Sequence, residues 1–251
     1  NPGEITPLSQ MARPHVAMVT TVAAAHLASF DNLAGIAVEK ACIMDGLEPG
    51  GVAVLNGDVE TSAILQDHAA KLGVKQVLFG ETATDWAVKD VRIAGDVTVI
   101  AASGGGEDYL FKLSVPGRHF AMNAVGVLAV AEALGADPVA AALDISAWVP
   151  PAGRGTREVI VTDMANDGES LELLDDAFNA NPTSLIASLE VLAASTPTDN
   201  VGRIVKGRRV AILGDMLELG DAEDAMHRDM ADNTHLQSLD LIHCVGPLMR
   251  N

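Results

Sequence analysis

The first eighty residues alternate between short apolar runs and segments with helical spacing, and this alternation constrains the fold more than any other feature. The runs at 15–22, 51–56 and 74–80 are rich in β-branched residues, which is typical of strands buried on both faces. Apolar residues recur at helical spacing over 31–47 and 59–72. Parallel strands require such crossover helices, so the sequence predicts a βαβαβ unit with a parallel sheet.

The pattern changes between residues 91 and 115, where the apolar runs become shorter and alternate with polar residues. A Gly-Gly-Gly turn at 104–106 interrupts them. Such alternation predicts antiparallel strands added to the parallel sheet. Helical spacing then returns at 119–134 and 139–145.

A Val-Pro-Pro-Ala-Gly run at 149–153 fits neither a helix nor a central strand and predicts a linker. Strand and helix patterns restart beyond it. The predicted strands are 159–162, 171–174, 210–213 and 239–245, and the predicted helices are 183–194 and 222–232. The chain is therefore predicted to be an α/β protein with two domains, 1–152 and 153–251.

Charge and composition exclude several kinds of partner. Sixteen Lys and Arg residues against thirty-four Asp and Glu residues give a formal net charge of −18, which repels nucleic acid and anionic membranes. Five Phe, two Trp and one Tyr are too few for a base-stacking platform. No apolar run approaches the roughly 20 residues that span a bilayer. Cys42 and Cys244 lie far apart without a CxxC motif, which favours a reducing cytoplasm.

Three residues of the first predicted domain could take part in metal or phosphate chemistry. His26 follows the first strand at the edge where open α/β sheets bind ligands, and Glu4 precedes that strand. Imidazole and carboxylate can both ligate a divalent cation. Lys40 lies on the apolar stripe of its helix, where an unpaired ammonium is costly to bury. A solvated loop carboxylate, a packing histidine and a snorkelling lysine are the plainer alternatives.

Asn123 lies one turn inside the long helix that follows Gly117-Arg118-His119. Its amide offers donors and an acceptor, which suits the edge of a purine. An ordinary hydrogen-bonded helix residue is equally compatible with this position.

The second predicted domain carries polar residues near its linker and after its strands. Arg154 follows the linker and could clamp phosphates in bidentate fashion or form an ion pair at a domain interface. Asp176 ends a strand, where a carboxylate suits a ribose or a metal. Asn181 precedes Pro182 and either caps the next helix or contributes to a site.

An acidic loop follows the strand at 210–213 and carries Asp215 and Glu218. His227 is placed on the next helix and is expected at the surface. The only glycine cluster lacks the Lys-Ser/Thr of a P-loop, and neither GxSxG nor HExxH occurs. The residues by themselves thus predict an α/β protein with carboxylates at strand ends.

Several strings, taken in chain order, resemble the Mur ligase family. They are NPGEI, TTVAAAHLASF, the helix with Glu39-Lys40, PGRHFAMNAVGVLAVAEALG, VPPAGRG, LLDDAFNANPTS and LGDMLELG. The resemblance covers nearly the whole chain and is weakest over 91–111. It implies a central ATPase domain, with a parallel sheet and added antiparallel strands, followed by a Rossmann-like C-terminal domain.

Within the family, LLDDAFNANP and LGDMLELG look most like the branch that adds D-alanyl-D-alanine to UDP-N-acetylmuramoyl-tripeptide in peptidoglycan precursor synthesis. The implied reaction is ATP-dependent amide formation through an acyl phosphate, with ATP and Mg²⁺ as cofactors. The alternatives are another Mur-type ligase, a folylpolyglutamate synthase, which the FNANP string argues against, and a non-catalytic α/β module.

The resemblance also implies roles for individual residues. The family often carries Asn where Phe120 stands, so the adenine contact is expected to differ here. The implied roles are Mg²⁺ ligands for Glu4 and His26, a metal-binding carbamate for Lys40, an adenine contact for Asn123, a phosphate contact for Arg154, a ribose or hinge contact for Asp176, and contacts to the incoming dipeptide for Asn179, Asn181 and Asp215.

The family's P-loop is not among these residues. The chain is expected to begin inside the central domain just after that loop, and to stop before the C-terminal domain is complete. We therefore expect this chain, taken alone, to be inactive.

Overall fold

A computed structural model describes residues 1–24, 27–30, 32–163, 169–201 and 204–250. The chain divides into two compact units, Asn1–Trp148 and Val149–Asn251. In the described part of the chain, none of the helices combines the length and the apolar character needed to cross a membrane.

One six-stranded sheet organises the first unit. Its strands follow one another in chain order. They are β1 (Val16–Val19), β2 (Val52–Asn56), β3 (Lys75–Gly80), β4 (Trp86–Ala94), β5 (Val97–Gly104) and β6 (Glu107–Leu113). The pairs from β1 to β4 are parallel, and β4, β5 and β6 form an antiparallel meander. The predicted parallel sheet with added antiparallel strands is confirmed, although the meander begins at Trp86 rather than residue 91.

The strand β2 is buried on both faces of the sheet. All five of its residues are buried. Val52 and Val54 belong to the apolar cluster that also contains Leu128, whereas Ala53 and Leu55 belong to the cluster that also contains Leu65. Successive strand residues point to opposite faces, so this division follows from the pleat. Helices cover both sides, as the apolar strand sequence predicts.

Within the described residues, five α-helices accompany this sheet. They are α1 (Ile5–Ala12), α2 (Leu33–Ala41), α3 (Ser62–Leu72), α4 (Arg118–Ala133) and α5 (Pro138–Asp144). The helix α1 was not predicted, and Glu4, which precedes it, was expected in a loop. Asp31, the first residue of the predicted helix over 31–47, lies outside the described residues, and the side chain of Asn32 caps α2 by accepting from the amide of Gly35.

The predicted helix over 31–47 changes type in its second half. The α-helix ends at Ala41, and a 3₁₀ helix continues over Cys42–Gly46. The hydroxyl of Ser9, on α1, donates to the carbonyl of Ile43 and accepts from the amide of Gly46 at 3.0 Å. A Cβ at Gly46 would lie 2.1 Å from the Ser9 carbonyl oxygen. Contact with α1 thus sets the geometry of this segment.

The second unit contains two separate two-stranded sheets. The strands β7 (Thr156–Val161) and β8 (Ser170–Asp175) pair antiparallel, and β9 (Val210–Gly214) and β10 (Leu241–Val245) pair parallel. The helices are α6 (Pro182–Ala194) and α7 (Glu223–Asp229). Its small core consists of Leu189, Ala211, Met216, Leu219 and Met230.

One buried hydroxyl fixes the turn that leads into α4. Thr98 on β5 is 0% exposed. Its hydroxyl donates to the carbonyl of Val115 at 2.8 Å and accepts from the amide of Gly117 at 2.9 Å. Gly117 has a φ of +148°, which residues with a side chain rarely adopt. The hydroxyl therefore pairs two buried backbone groups that have left the strand ladder.

Replacement of Thr98 by Val is expected to reduce the free energy of unfolding of the first unit by about 2–4 kcal/mol, because it leaves a buried N–H and a buried C=O unpaired. Thr98→Ser keeps the hydroxyl and is expected to lose only about 1 kcal/mol with its methyl group. Urea unfolding followed by tryptophan fluorescence measures both, since Trp86 and Trp148 lie in this unit. A Val variant as stable as the Ser variant would contradict this account.

Candidate functional site

Glu4 lies in the loop that leads into α1, where it is the N-cap residue of that helix. Its carboxylate is exposed and accepts a hydrogen bond from the side-chain amide of Asn1 at 2.7 Å. It therefore lies at the surface, where a cation can reach it.

Glu39 on α2 holds the loop that carries Glu4. One carboxylate oxygen accepts from the amide of Gly3 at 2.7 Å, and the other accepts from the amide of Ile5 at 2.9 Å. These bonds pair backbone N–H groups at the start of α1, where a negative charge is favourable. Sequence reasoning gave Glu39 no role of its own, because nothing local indicates that its partners lie more than thirty residues away.

Lys40 is half-buried and has a backbone partner. Its ammonium donates to the carbonyl of Thr21, just after β1, at 2.9 Å. Burial lowers the pKa of Lys40. The ammonium thus has a backbone partner two residues beyond the end of β1.

The predicted metal set is incomplete in what the structure describes. His26 lies outside the described residues. Among the residues that are described, no group of three or more His, Cys, Asp and Glu side chains could hold a metal ion. Thr21, which accepts the bond from Lys40, precedes His26 in the chain. Ser29 follows His26, and its hydroxyl donates to the side chain of Asn1, in the loop of Glu4, at 3.3 Å.

Two rings in the first turn of α4 and the ring of Trp148, which follows α5, form a group that was not predicted. The His119 and Phe120 rings lie 3.9 Å apart between centroids, and the Phe120 and Trp148 rings lie 5.3 Å apart. Arg118 pairs with Glu81 at 2.6 Å. Asn123 is half-buried on the next turn, so it lies near the same end of α4 as His119 and Phe120.

Asp58 organises the ends of β2 and β3 and was also missed. Its carboxylate accepts from the amide of Glu81 at 2.5 Å and from the hydroxyl of Thr82 at 2.6 Å. Burial raises the pKa of Asp58, but hydrogen bonds from Thr82 and Glu81 outweigh burial, so the pKa is lowered overall. A Cβ at Gly80, whose φ is +148°, would lie 2.5 Å from this carboxylate. A glycine that ends a strand is the only sequence signal for this arrangement.

In the second unit, two loops are tied together and bring Arg154 to the residues after β8. The amide of Phe178 donates to the carbonyl of Gly153 at 3.0 Å, and the amide of Gly155 donates to the carbonyl of Asp175 at 2.8 Å. The guanidinium of Arg154 lies 4.2 Å from the centre of the Phe178 ring. The ring supports an exposed cation through a cation–π contact. Arg154 therefore lies beside the loop that carries Asp176 and Asn179.

Three candidate residues that precede α6 have different surroundings. Asp176 accepts a close hydrogen bond from the hydroxyl of Ser188 on α6, and Asn179 is exposed. Asn181 caps α6: its side-chain oxygen accepts from the amide of Ser184 at 3.1 Å, and the Ser184 hydroxyl accepts from the amide of Asn181 at 3.0 Å. Of the two alternatives for Asn181, this geometry supports the cap.

Asp215 follows β9 and holds the segment after β10. Its carboxylate accepts from the amide of Met249 at 2.8 Å, and a Cβ at Gly246 would lie 2.3 Å from the carboxyl carbon of Asp215. The expectation that His227 lies at the surface is wrong. It is 4% exposed, because α7 packs its inner face over the loop after Asp215.

Two family comparisons cover most of the chain. The Mur ligase middle domain matches residues 1–131, and the Mur ligase glutamate ligase domain matches residues 159–251. The UDP-N-acetylmuramoyl-tripeptide–D-alanyl-D-alanine ligase of Escherichia coli is 31% identical over 248 residues, which are 97% of this chain and 50% of that protein. The chain thus spans about half the length of the relatives it matches. These matches confirm the family that the sequence motifs resemble.

Solved structures agree with this result. A crystal structure of MurF from Acinetobacter baumannii superimposes with a TM-score of 0.83 at 26% identity, over 99% of this chain and 50% of that one. A MurF ligase from Thermotoga maritima, solved in complex with ADP, superimposes with a TM-score of 0.80 over 100% of this chain and 53% of that one, at 23% identity. The second likeness concerns the fold alone. The predicted α/β fold class is confirmed.

The capping role of Asn181 at α6 can be tested apart from any role in binding. Asn181→Ala is expected to increase hydrogen exchange at the Ser184 amide about fivefold, since loss of an N-cap costs about 1 kcal/mol. Asn181→Ser restores a capping oxygen and is expected to restore the protection. Asn179→Ala, two residues earlier, is the matched control and should change nothing at Ser184. Equal protection in the wild type and the Ala variant would contradict the capping role.

Proposed function

Since the chain belongs to the Mur ligase family, we propose that its function is ATP-dependent amide ligation in peptidoglycan precursor synthesis, with D-alanyl-D-alanine joined to UDP-N-acetylmuramoyl-tripeptide. The observation that carries the proposal is the 31% identity to the Escherichia coli ligase of that name along almost the whole of this chain. The proposed cofactors are ATP and Mg²⁺.

The proposed reaction has two steps. An oxygen of the tripeptide carboxylate attacks the γ-phosphorus of ATP, the bond to the ADP oxygen breaks, and an acyl phosphate forms. The amine of D-alanyl-D-alanine then attacks the acyl carbon, phosphate leaves with the electron pair of the broken bond, and the amine gives up a proton. The first step brings one anion to another, so it requires positive charge at the reacting oxygens. With a net charge of −18, the protein must supply that charge locally.

In the first unit, we assign Glu4, His26 and Lys40 as the ligands of the Mg²⁺ ion. When bound, Mg²⁺ would neutralise phosphate charge. Glu4 fits this role because its carboxylate is exposed at the surface. Lys40 does not fit as an ammonium, which repels a cation, but it fits as a carbamate, which is an anion with oxygen ligands. A carbamate keeps one N–H on Nζ, so the bond to the Thr21 carbonyl can persist.

Nucleotide contacts are assigned to both units. We propose Asn123 for the adenine edge, with the Phe120 ring replacing the Asn that the family often carries. Arg154 is proposed for the phosphates and Asp176 for the ribose or the hinge. Asn179 and Asp215 are proposed on the side of the incoming dipeptide. For Asn181, the cap is the structural role, and a contact to the dipeptide would be additional to it.

Substrate-dependent ADP release tests the function. The protein, as its gene encodes it, is supplied with ATP, Mg²⁺, UDP-N-acetylmuramoyl-tripeptide and D-alanyl-D-alanine, with omission of the dipeptide as the control. We expect ADP release only in the complete mixture. Faster ADP release with a folate and glutamate would identify a folylpolyglutamate synthase and contradict the proposal.

Lys40→Ala is expected to abolish turnover and to be partly rescued by formate or acetate, because a small carboxylate can replace the missing carbamate. Lys71→Ala, at the exposed end of α3, is the matched control and should keep normal turnover. ADP release measures the turnover of Lys40→Ala, with and without the small carboxylate, and of Lys71→Ala. Absence of rescue, together with an unmodified ammonium in a high-resolution density map, would refute the carbamate.

Arg154→Ala is expected to lower the turnover rate by about 10²–10³, as loss of a group that stabilises the transferring phosphate does. Arg154→Lys retains the charge without the planar guanidinium, so its turnover rate is expected to lie between those of the wild type and of Arg154→Ala. Arg92→Ala removes an equally exposed guanidinium on β4 and serves as the control. A near-normal rate for Arg154→Ala would assign this residue to structure alone.

A further inference from the structure

His227 is a buried imidazole that the proposed chemistry does not use. It lies on α7, and only 4% of its surface is exposed. Its Nε2 accepts a hydrogen bond from the amide of Met216 at 2.8 Å, and its Nδ1 lies 2.7 Å from the carbonyl oxygen of Glu223. Both ring nitrogens therefore bind backbone groups, one in the loop after β9 and one in the first turn of its own helix.

These two partners fix the protonation of the ring. A backbone N–H can only donate, so Nε2 must be an unprotonated acceptor. A carbonyl oxygen can only accept, so Nδ1 must carry the proton. Only the neutral Nδ1–H tautomer satisfies both at once, and a protonated ring would set an N–H group of its own against the amide of Met216.

The loop that His227 holds carries a residue proposed for the substrate. Met216 immediately follows Asp215, and Met216 and Leu219 are buried in the small core of this unit. Glu218 has a φ of +63°, a backbone conformation that residues other than glycine rarely adopt. The loop is therefore held in a conformation that its own sequence does not favour, and the bond from the Met216 amide anchors it directly beside Asp215.

We propose that His227 is a positioning residue: as the neutral Nδ1–H tautomer, it holds the Asp215 loop in the conformation that receives the incoming D-alanyl-D-alanine. This inference rests on the proposed function, since that function gives Asp215 its contact to the dipeptide. It predicts that loss of the Met216 bond affects the dipeptide and not the nucleotide.

Substitution of His227 by Gln or by Asn distinguishes this positioning role from simple packing. The carbonyl oxygen of Gln can take the place of Nε2, so His227→Gln keeps an acceptor for the Met216 amide. The shorter Asn reaches only the position of Nδ1, so His227→Asn leaves the Met216 amide buried without a partner. We expect His227→Asn to raise KM for D-alanyl-D-alanine about tenfold or more, with KM for ATP within about twofold of the wild type, and His227→Gln to restore most of the loss.

Imidazole ¹⁵N NMR of the histidine-labelled protein tests the tautomer without an activity assay, and it applies even where the Asn variant fails to fold. A protonated Nδ1 and an unprotonated Nε2 for His227 are expected. A protonated Nε2, or equal changes of both KM values in His227→Asn, would overturn the positioning role while the proposed function stands. Absence of dipeptide-dependent ADP release from the wild type, with the expected tautomer present, would overturn the proposed function and, with it, the role of His227.

Discussion

Burial of β2 on both faces is the constraint on which the first unit depends. Every residue of this strand is apolar up to Asn56, and its alternate side chains enter two different cores. In β2, polar groups are therefore confined to the end of the strand. Asn56 marks the change: it is buried, and its side chain donates to the Thr20 carbonyl at 2.8 Å and accepts from the Asp58 amide at 2.9 Å. Lys40 and Asp58 have partners just beyond the ends of β1 and β3, respectively.

The second unit has a smaller core and relies more on bonds between loops. Paired backbone groups hold Gly153 to Phe178, and a carboxylate holds the segments around Asp215 and Met249 together. Each of these bonds lies next to a residue that we assign to the substrates. The two units thus offer cations in different settings: Lys40 is half-buried against a carbonyl, and Arg154 is exposed on an aromatic ring. Such settings suit a carbamate and a phosphate clamp, respectively.

Most strands and helices could be predicted from the sequence, because their apolar patterns match the fold. The cap at Asn181 was also accessible, since Asn followed by Pro is a local signal for a helix start. The roles of Glu39, Asp58 and His227 were not accessible. Each has a backbone partner in another part of the chain, and no local pattern indicates that the Gly3 amide donates to Glu39. The helix α1 was missed because its apolar residues follow a Pro-Gly turn signal that favours a loop.

We propose that the first unit binds the metal that accompanies the nucleotide, through Glu4, His26 and Lys40. A crystal structure of the protein with Mg²⁺ and a non-hydrolysable ATP analogue tests it most directly. The account predicts a cation at about 2.0–2.1 Å from an oxygen of Glu4 or of a carbamate on Lys40, and adjacent to His26. A cation bound to the phosphates but remote from Glu4, His26 and Lys40 would contradict it.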